Sequence, residues 1–236
     1  MKKGNTKMNV LIIDTETANS IEQPICYDKG YFIVDLDTFE ILRAHSFAVA
    51  EVLLDKDLIK GAYYANKIPN YWNEIKSGDR ELKGIWNIWK TIQADMKEFN
   101  VKDVYAYNMN FDKRSSNNTI RYLTGSAIRW FFPYGTEFHC IWHMACSSIL
   151  RSKWFIKWAL ENGFVSEKGN IQTSAEVAYR YITKDPDFEE MHEGLADVSI
   201  ETAILFKVLK SRMKYEDKPY SACWRIPQKR REELGL

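Results

Sequence analysis

Residues 10 to 13, Val-Leu-Ile-Ile, form an unbroken apolar run. Four apolar positions with no polar face between them predict a strand covered on both sides. The stretch GYFIVDLDTFEILRAHSFAVAEVL, residues 30–53, predicts two further strands joined by a turn near Asp37 and Thr38. Residues 55–80 carry Tyr63, Tyr64, Tyr71, Trp72 and the pair Pro69-Asn70, and predict irregular structure. The period then changes to helical, with Ile85, Ile88, Trp89, Ile92 and Met96 on one stripe. A strand is expected at Val104 to Tyr107, then a polar loop, a helix reaching about Tyr122 and an aromatic segment over 128–145. Helices are expected around 147–162, 174–182 and 196–213. Strands first, then helices alternating with short strands, predict an α/β chain with a mixed central sheet flanked by helices. No repeat or linker divides it, so one domain over 9–213 is expected. Residues 1–8 read as a loose leader and 214–236 as a loosely held C-terminal tail.

Composition narrows the partners. A chain of 236 residues, 45% hydrophobic and 28% charged, has enough apolar surface for a core of its own. Its 33 Lys and Arg nearly balance 32 Asp and Glu, so no bulk field attracts a polyanion. Any nucleic acid must be held locally. No apolar run approaches the roughly 18 to 20 residues that cross a bilayer, and MKKGNTK leads into a run too short for a signal-peptide core. A cytoplasmic protein without a membrane partner is therefore expected, and its four scattered cysteines are expected to be reduced thiols.

Chemistry enters at the end of the first apolar run, where Asp14 and Glu16 follow with one residue between them. Side chains two apart on an extended chain point the same way, so both carboxylates can converge on one point. At roughly 4 Å and an effective dielectric near 20 they repel by about 4 kcal/mol, which demands a proton, a cation or a metal. Asp-x-Glu alone is weak, since chance supplies about one in a chain of this composition and a solvated strand end is the ordinary reading. Two further signals accompany it. The β-rich run Val104 to Tyr107 leads into Asn108-x-x-Phe111-Asp112, which alone reads equally as an Asn/Asp turn. His192 precedes Asp197 by five positions, ahead of an apolar stripe at Val198, Ala203, Ile204, Leu205 and Val208. On one regular helix the two would stand about 140° apart, so convergence places His192 in the preceding loop and Asp197 in the first turns.

Asp14-Thr15-Glu16, Asn108-x-x-Phe111-Asp112 and His192-x4-Asp197, in this order, resemble the three motifs of the DEDDh, or DnaQ-like, 3'-5' exonucleases, which include RNase T and the epsilon-type proofreading subunit. The resemblance spans roughly residues 9–210, and residues 162–201 are similar to phage-encoded members. It departs at Glu193, where many relatives carry a small hydroxyl residue, and at CIWHMA, where many have an Asp-Thr pair.

The resemblance implies an RNase H-like fold and hydrolysis from the 3' end of nucleic acid, DNA favoured over RNA and single-stranded, releasing nucleoside 5'-monophosphates. It implies two divalent ions, Mg2+ or Mn2+, held by Asp14, Glu16, Asp112 and Asp197, with His192 as general base. Thr15, Thr17, Asn108 and Phe111 are implied at the substrate, and a polymerase partner fits the family. Hard carboxylate oxygens independently suit Mg2+ better than Zn2+. Two rival functions stay open beside these, and so do the roles of several segments. An RNase H-like endonuclease could also use four acids, although it would not call for His-x4-Asp. A non-catalytic nucleic-acid or polymerase-binding module would have no reason to gather four like charges. RSKWFIKW, residues 151–158, could hold a strand through Arg151, Lys153, Lys157, Trp154 and Trp158 or be core with basic neighbours. The tyrosines and Trp72 between 63 and 72 could pair with the sheet or cover a substrate groove. His139, Cys140, His143 and Cys146 fit no closed zinc spacing.

Overall fold

The computed structural model describes residues 8–236; of the expected leader, residues 1–7 lie outside that range. Six strands form one mixed sheet, β1 (Asn9–Ala18), β2 (Ile25–Asp35), β3 (Glu40–Val49), β4 (Glu81–Lys83), β5 (Asp103–Ala106) and β6 (Glu137–Cys140), in the order β4-β3-β2-β1-β5-β6. Strand β1 is interior, antiparallel to β2 and parallel to β5, with Leu11 opposite both Ile33 and Val104. Val10 to Ile13 are fully buried, which explains why this run carries no polar alternation. Helices α1 (Ala50–Leu53), α2 (Lys56–Ile59), α3 (Ile68–Ser77), α4 (Ile85–Glu98), α5 (Met109–Leu123), α6 (Ile141–Ser147), α7 (Lys153–Glu161), α8 (Ala175–Thr183), α9 (Gly194–Ser211) and α10 (Arg225–Glu233) complete the described chain.

Several expectations need correction. Strand β2 starts at Ile25, five residues before the expected position, because its charged pair Asp28-Lys29 is buried in the strand rather than exposed ahead of it. Residues 50–53 are helical rather than the end of a strand. The segment 55–80 contains α2 and α3, and Pro69 lies in the first turn of α3, where its missing N–H costs no helical bond. Residues 109–112 already belong to α5, so Asp112 stands in the first helical turn rather than in a loop. Residues 225–233 form α10, with Cys223 and Pro227 buried.

The described chain resolves into two compact units, one comprising residues 8–105, 111–137 and 192–198, the other 106–110, 138–191 and 199–236. The second packs a half-buried aromatic group in which Trp158 lies 5.0 Å from Phe164 and 5.3 Å from Tyr181, while Trp154 is 78% exposed. The two tryptophans of RSKWFIKW thus divide, one packed and one solvent-facing. All five acidic and histidine residues of the three motifs fall in the first unit.

Candidate active site

The two faces of β1 carry different chemistry. Its register sets Asp14 opposite Gly30 and Glu16 opposite Asp28, and cross-strand partners share a face. That face meets the start of α9. A side-chain carbon on Gly30 would run into the backbone of Gly194 and Leu195, and one on Gly194 would come within 2.7 Å of the Gly30 nitrogen. Only two glycines permit this approach. The Gly194 N–H donates to Asp28 Oδ2 at 2.9 Å, so the first turn of α9 is tied to β2 by a buried carboxylate. Asp28 also accepts from Tyr71 Oη at 2.7 Å and pairs with Arg80, whose Nε donates to Glu74 at 2.7 Å.

This docking delivers the third motif to the first. His192 precedes α9 with φ +54°, and Asp197 lies in its first turn, donating its N–H to the Glu193 carbonyl at 3.0 Å. One ligand atom each from Glu16, His192 and Asp197 falls within 4.8 Å of the others. Asp14 stands on the same strand face two residues before Glu16. Donors of this kind, hard carboxylate oxygens with one imidazole, fit a divalent ion such as Mg2+ or Mn2+. No zinc-type grouping of His139, Cys140, His143 and Cys146 occurs among the described residues.

On the opposite face, Thr15 is buried and donates its hydroxyl to Asp112 Oδ1 at 2.9 Å, with Ser115 Oγ at 2.7 Å. Thr119, one turn further along α5, receives the Cys26 N–H at 2.8 Å. Asp112 is thus aimed from α5 by a hydroxyl on the strand that carries Asp14 and Glu16. The Thr15 side chain is occupied in that role, which leaves its backbone for any contact with substrate. Lys29, opposite Thr15, is fully buried and donates from Nζ to Ser116 at 2.7 Å, 4.6 Å from the Phe131 ring centroid. Burial holds its ammonium below the ordinary lysine value, against the pull of Cys26, Asp112, Asp14 and Asp28.

Of the expected substrate residues, Thr17 follows Glu16 on β1, past a register shift. Phe111 is half-buried in the first turn of α5 beside Arg114. Asn108 is exposed in the turn between β5 and α5. Glu193, the departure from the family pattern, is 6% exposed and turned toward Glu74 and Arg80. Burial and the neighbouring Glu74 push its carboxyl up, so it belongs to the docking group beneath α9 rather than to open solvent beside His192.

The motifs gave no indication of Tyr64, whose ring stacks on the His192 imidazole with centroids 4.0 Å apart and planes 9° from parallel. Tyr63 meets Tyr64 edge-on at 4.8 Å and is 85% exposed. The aromatic cluster at 63–72 supplied the only sequence signal.

No protein-family model and no curated protein matches the chain in sequence. Solved structures do match in shape. The nuclease domain of 3'hExo, a DEDDh family member, bound to rAMP, aligns with 92% of this chain and 99% of its own at 15% identity and TM-score 0.55. A 3'-exonuclease in a structure of 3'-end specific recognition of histone mRNA stem-loop covers 92% of both chains at 14% identity and TM-score 0.56. Exonuclease I of E. coli, in complex with a 5cy-dT13 oligonucleotide, aligns with 88% of this chain, which spans 41% of that longer one, at 15% identity and TM-score 0.50. At these identities the likeness establishes the fold, and the mixed six-stranded sheet flanked by helices is the RNase H-like fold of such nucleases.

Proposed function

We propose that the protein is a metal-dependent 3'-5' exonuclease that hydrolyses the terminal phosphodiester of a single strand, DNA favoured over RNA, and releases nucleoside 5'-monophosphates. The observation that carries this reading is the convergence of Glu16, His192 and Asp197 within 4.8 Å from segments far apart in sequence. Asp14 lies on the same face, and Asp112 is aimed by Thr15. Shape likeness to nucleases supports it.

In this reading Asp14, Glu16, Asp112 and Asp197 hold two divalent ions, which when bound supply an acidified water, a polarised phosphoryl group and a stabilised leaving oxygen. His192 takes the proton of the attacking water in the plane of its ring. Tyr64 covers one face of that ring, which restricts how the imidazole can turn. The left-handed backbone at His192 is sparsely populated for a non-glycine residue, so the neighbouring contacts must hold it there.

End-labelled oligonucleotides incubated with Mg2+ or Mn2+ test the reading. Mononucleotides should appear one at a time from the 3' end, a 3'-phosphate should slow release, and EDTA should abolish it. Cleavage of covalently closed single-stranded circles as fast as linear strands would replace the exonuclease with an endonuclease.

A further inference from the structure

The first unit contains an open cleft of about 640 Å³ that the active-site residues do not line. One wall is the bend that follows β1, with Asn19 and Gln23, and the other is the outer side of α5, with Arg114, Asn118, Arg121 and Tyr122. Asn19 lies three residues beyond Glu16, about 10 Å along an extended chain, so the cleft opens at the same end of β1 as the acids. Arg114 and Arg121 are two helical turns apart, a rise of about 10 Å, with Asn118 between them. A stacked strand rises about 3.4 Å per nucleotide along its axis, so this spacing corresponds to the axial rise of about three nucleotides.

Both guanidinium groups are held in place. Arg114 donates from Nη2 to the Ile21 carbonyl at 3.1 Å, and Arg121 from Nε to the Arg129 carbonyl at 2.8 Å. A guanidinium has five N–H donors, so anchoring by one restricts the side chain and leaves the rest of the fork to face the cleft. Stacking surface lies beside them: Tyr122 is 59% exposed, and Trp130, 64% exposed, lies 5.0 Å from the Arg121 guanidinium. Glu22 is the one acid in the lining, so the cleft is locally cationic in a chain of net charge +1. Fixed cations, amides and flat aromatic faces along an open track are what a flexible polyanion with stackable bases requires.

We propose that this cleft binds the backbone and bases of a single-stranded nucleic acid upstream of its 3'-terminal nucleotide, an inference that rests on the exonuclease reading. It makes the protein selective for strand length without changing the chemical step.

The test separates binding from turnover. Anisotropy of fluorescein-labelled dT12 and rU12, in EDTA and across 50 to 300 mM NaCl, is measured for the wild type, for Arg114→Gln with Arg121→Gln, and for the corresponding double Lys variant. The Gln pair should weaken 12-mer binding at least tenfold and flatten the log-log salt slope by about 1.4, the value for two lost phosphate contacts on a single strand. The Lys pair should keep most of that slope. Hydrolysis of a dinucleotide with Mg2+ should be equal in all three, which also shows that each is folded. Wild-type 12-mer affinity and salt slope in the Gln pair would overturn the proposal. Weakened binding in the Gln pair, with no turnover of any substrate by the wild type, would uphold the cleft and remove the exonuclease. Equal loss for dT12 and rU12 would indicate phosphate and stacking contacts alone, whereas no loss with either would reject the cleft for both.

Discussion

The two faces of β1 solve different problems with the same three residues. Asp14 and Glu16 look toward α9, where Asp197 and His192 arrive through backbone packing so close that glycines are required on both sides. Thr15, between them, looks toward α5, where Asp112 arrives through a hydroxyl contact. One face gathers charge and the other aims it. Each face also buries a basic side chain, Arg80 beside Asp28 and Lys29 beside Ser116. The aiming face therefore deserves the same mutational scrutiny as the face that holds the ligands.

The largest effect should come from the gathering face. Asp14→Asn, Glu16→Gln and Asp197→Asn should each lower the single-turnover rate at least a hundredfold while circular dichroism stays native, and excess EDTA should do the same to the wild type. Two of these variants at wild-type rates would end the assignment of the acids. Asp112→Asn should fall equally far, although its support comes from the other face.

The aiming face should show a graded loss. Thr15→Val removes the hydroxyl at nearly constant volume, so kcat should fall roughly tenfold to a hundredfold with KM little changed, and the Mg2+ concentration for half-maximal rate should rise. Thr15→Ser should recover most of the rate. If Ser and Val behaved alike, the hydroxyl would have no part in placing Asp112.

Tyr64 should matter less, and only through His192. Tyr64→Ala should reduce kcat by roughly tenfold and alter its pH profile, Tyr64→Phe should keep the stacked ring and the rate, and Tyr64→Ala should cost nothing further once His192→Ala is present. Additive losses in the double variant would make the tyrosine a separate contributor.

The smallest effect concerns stability. Burial lowers the Lys29 ammonium in the folded protein, so between its folded value and the unfolded value near 10.4 the unfolded chain holds the extra proton and stability rises with pH. Lys29→Met lacks that rise. Urea midpoints at pH 7.5 and 10 should show the wild type gaining on the variant, and parallel midpoints would mean that the lysine titrates as it does in water.

The legible parts of this chain were those written in local periodicity. Val10 to Ile13 and the stripe from Ile85 to Met96 follow strand and helix periods without interruption, and both elements formed. Strand β4 has three half-buried residues and no apolar signature, and its existence depends on the parallel edge of β3. Helix α3 was obscured because Pro69 breaks a helix interior but suits a first turn. The acids could be read because spacing by two fixes a shared strand face. The group around Asp28 could not, because charges inside an apolar run look like a strand boundary until Arg80, Tyr71 and Gly194, up to 166 residues away, are seen to surround it. Tyr64 was hidden for the same reason: stacking on a histidine more than a hundred residues distant leaves no local pattern.

The crossing of Gly30 and Gly194 also bears on how sequence variation in this chain should be interpreted. Gly30 has no functional group and sits in the middle of a buried strand, so a catalogue of substitutions would file Gly30→Ala among the mildest. The added methyl has backbone on every near side and no flexible side chain to displace, so it must push the first turn of α9 away from β1, and His192 and Asp197 with it. The smallest change available at that position is therefore expected to abolish function as completely as the loss of an acid, in a variant whose strand still forms.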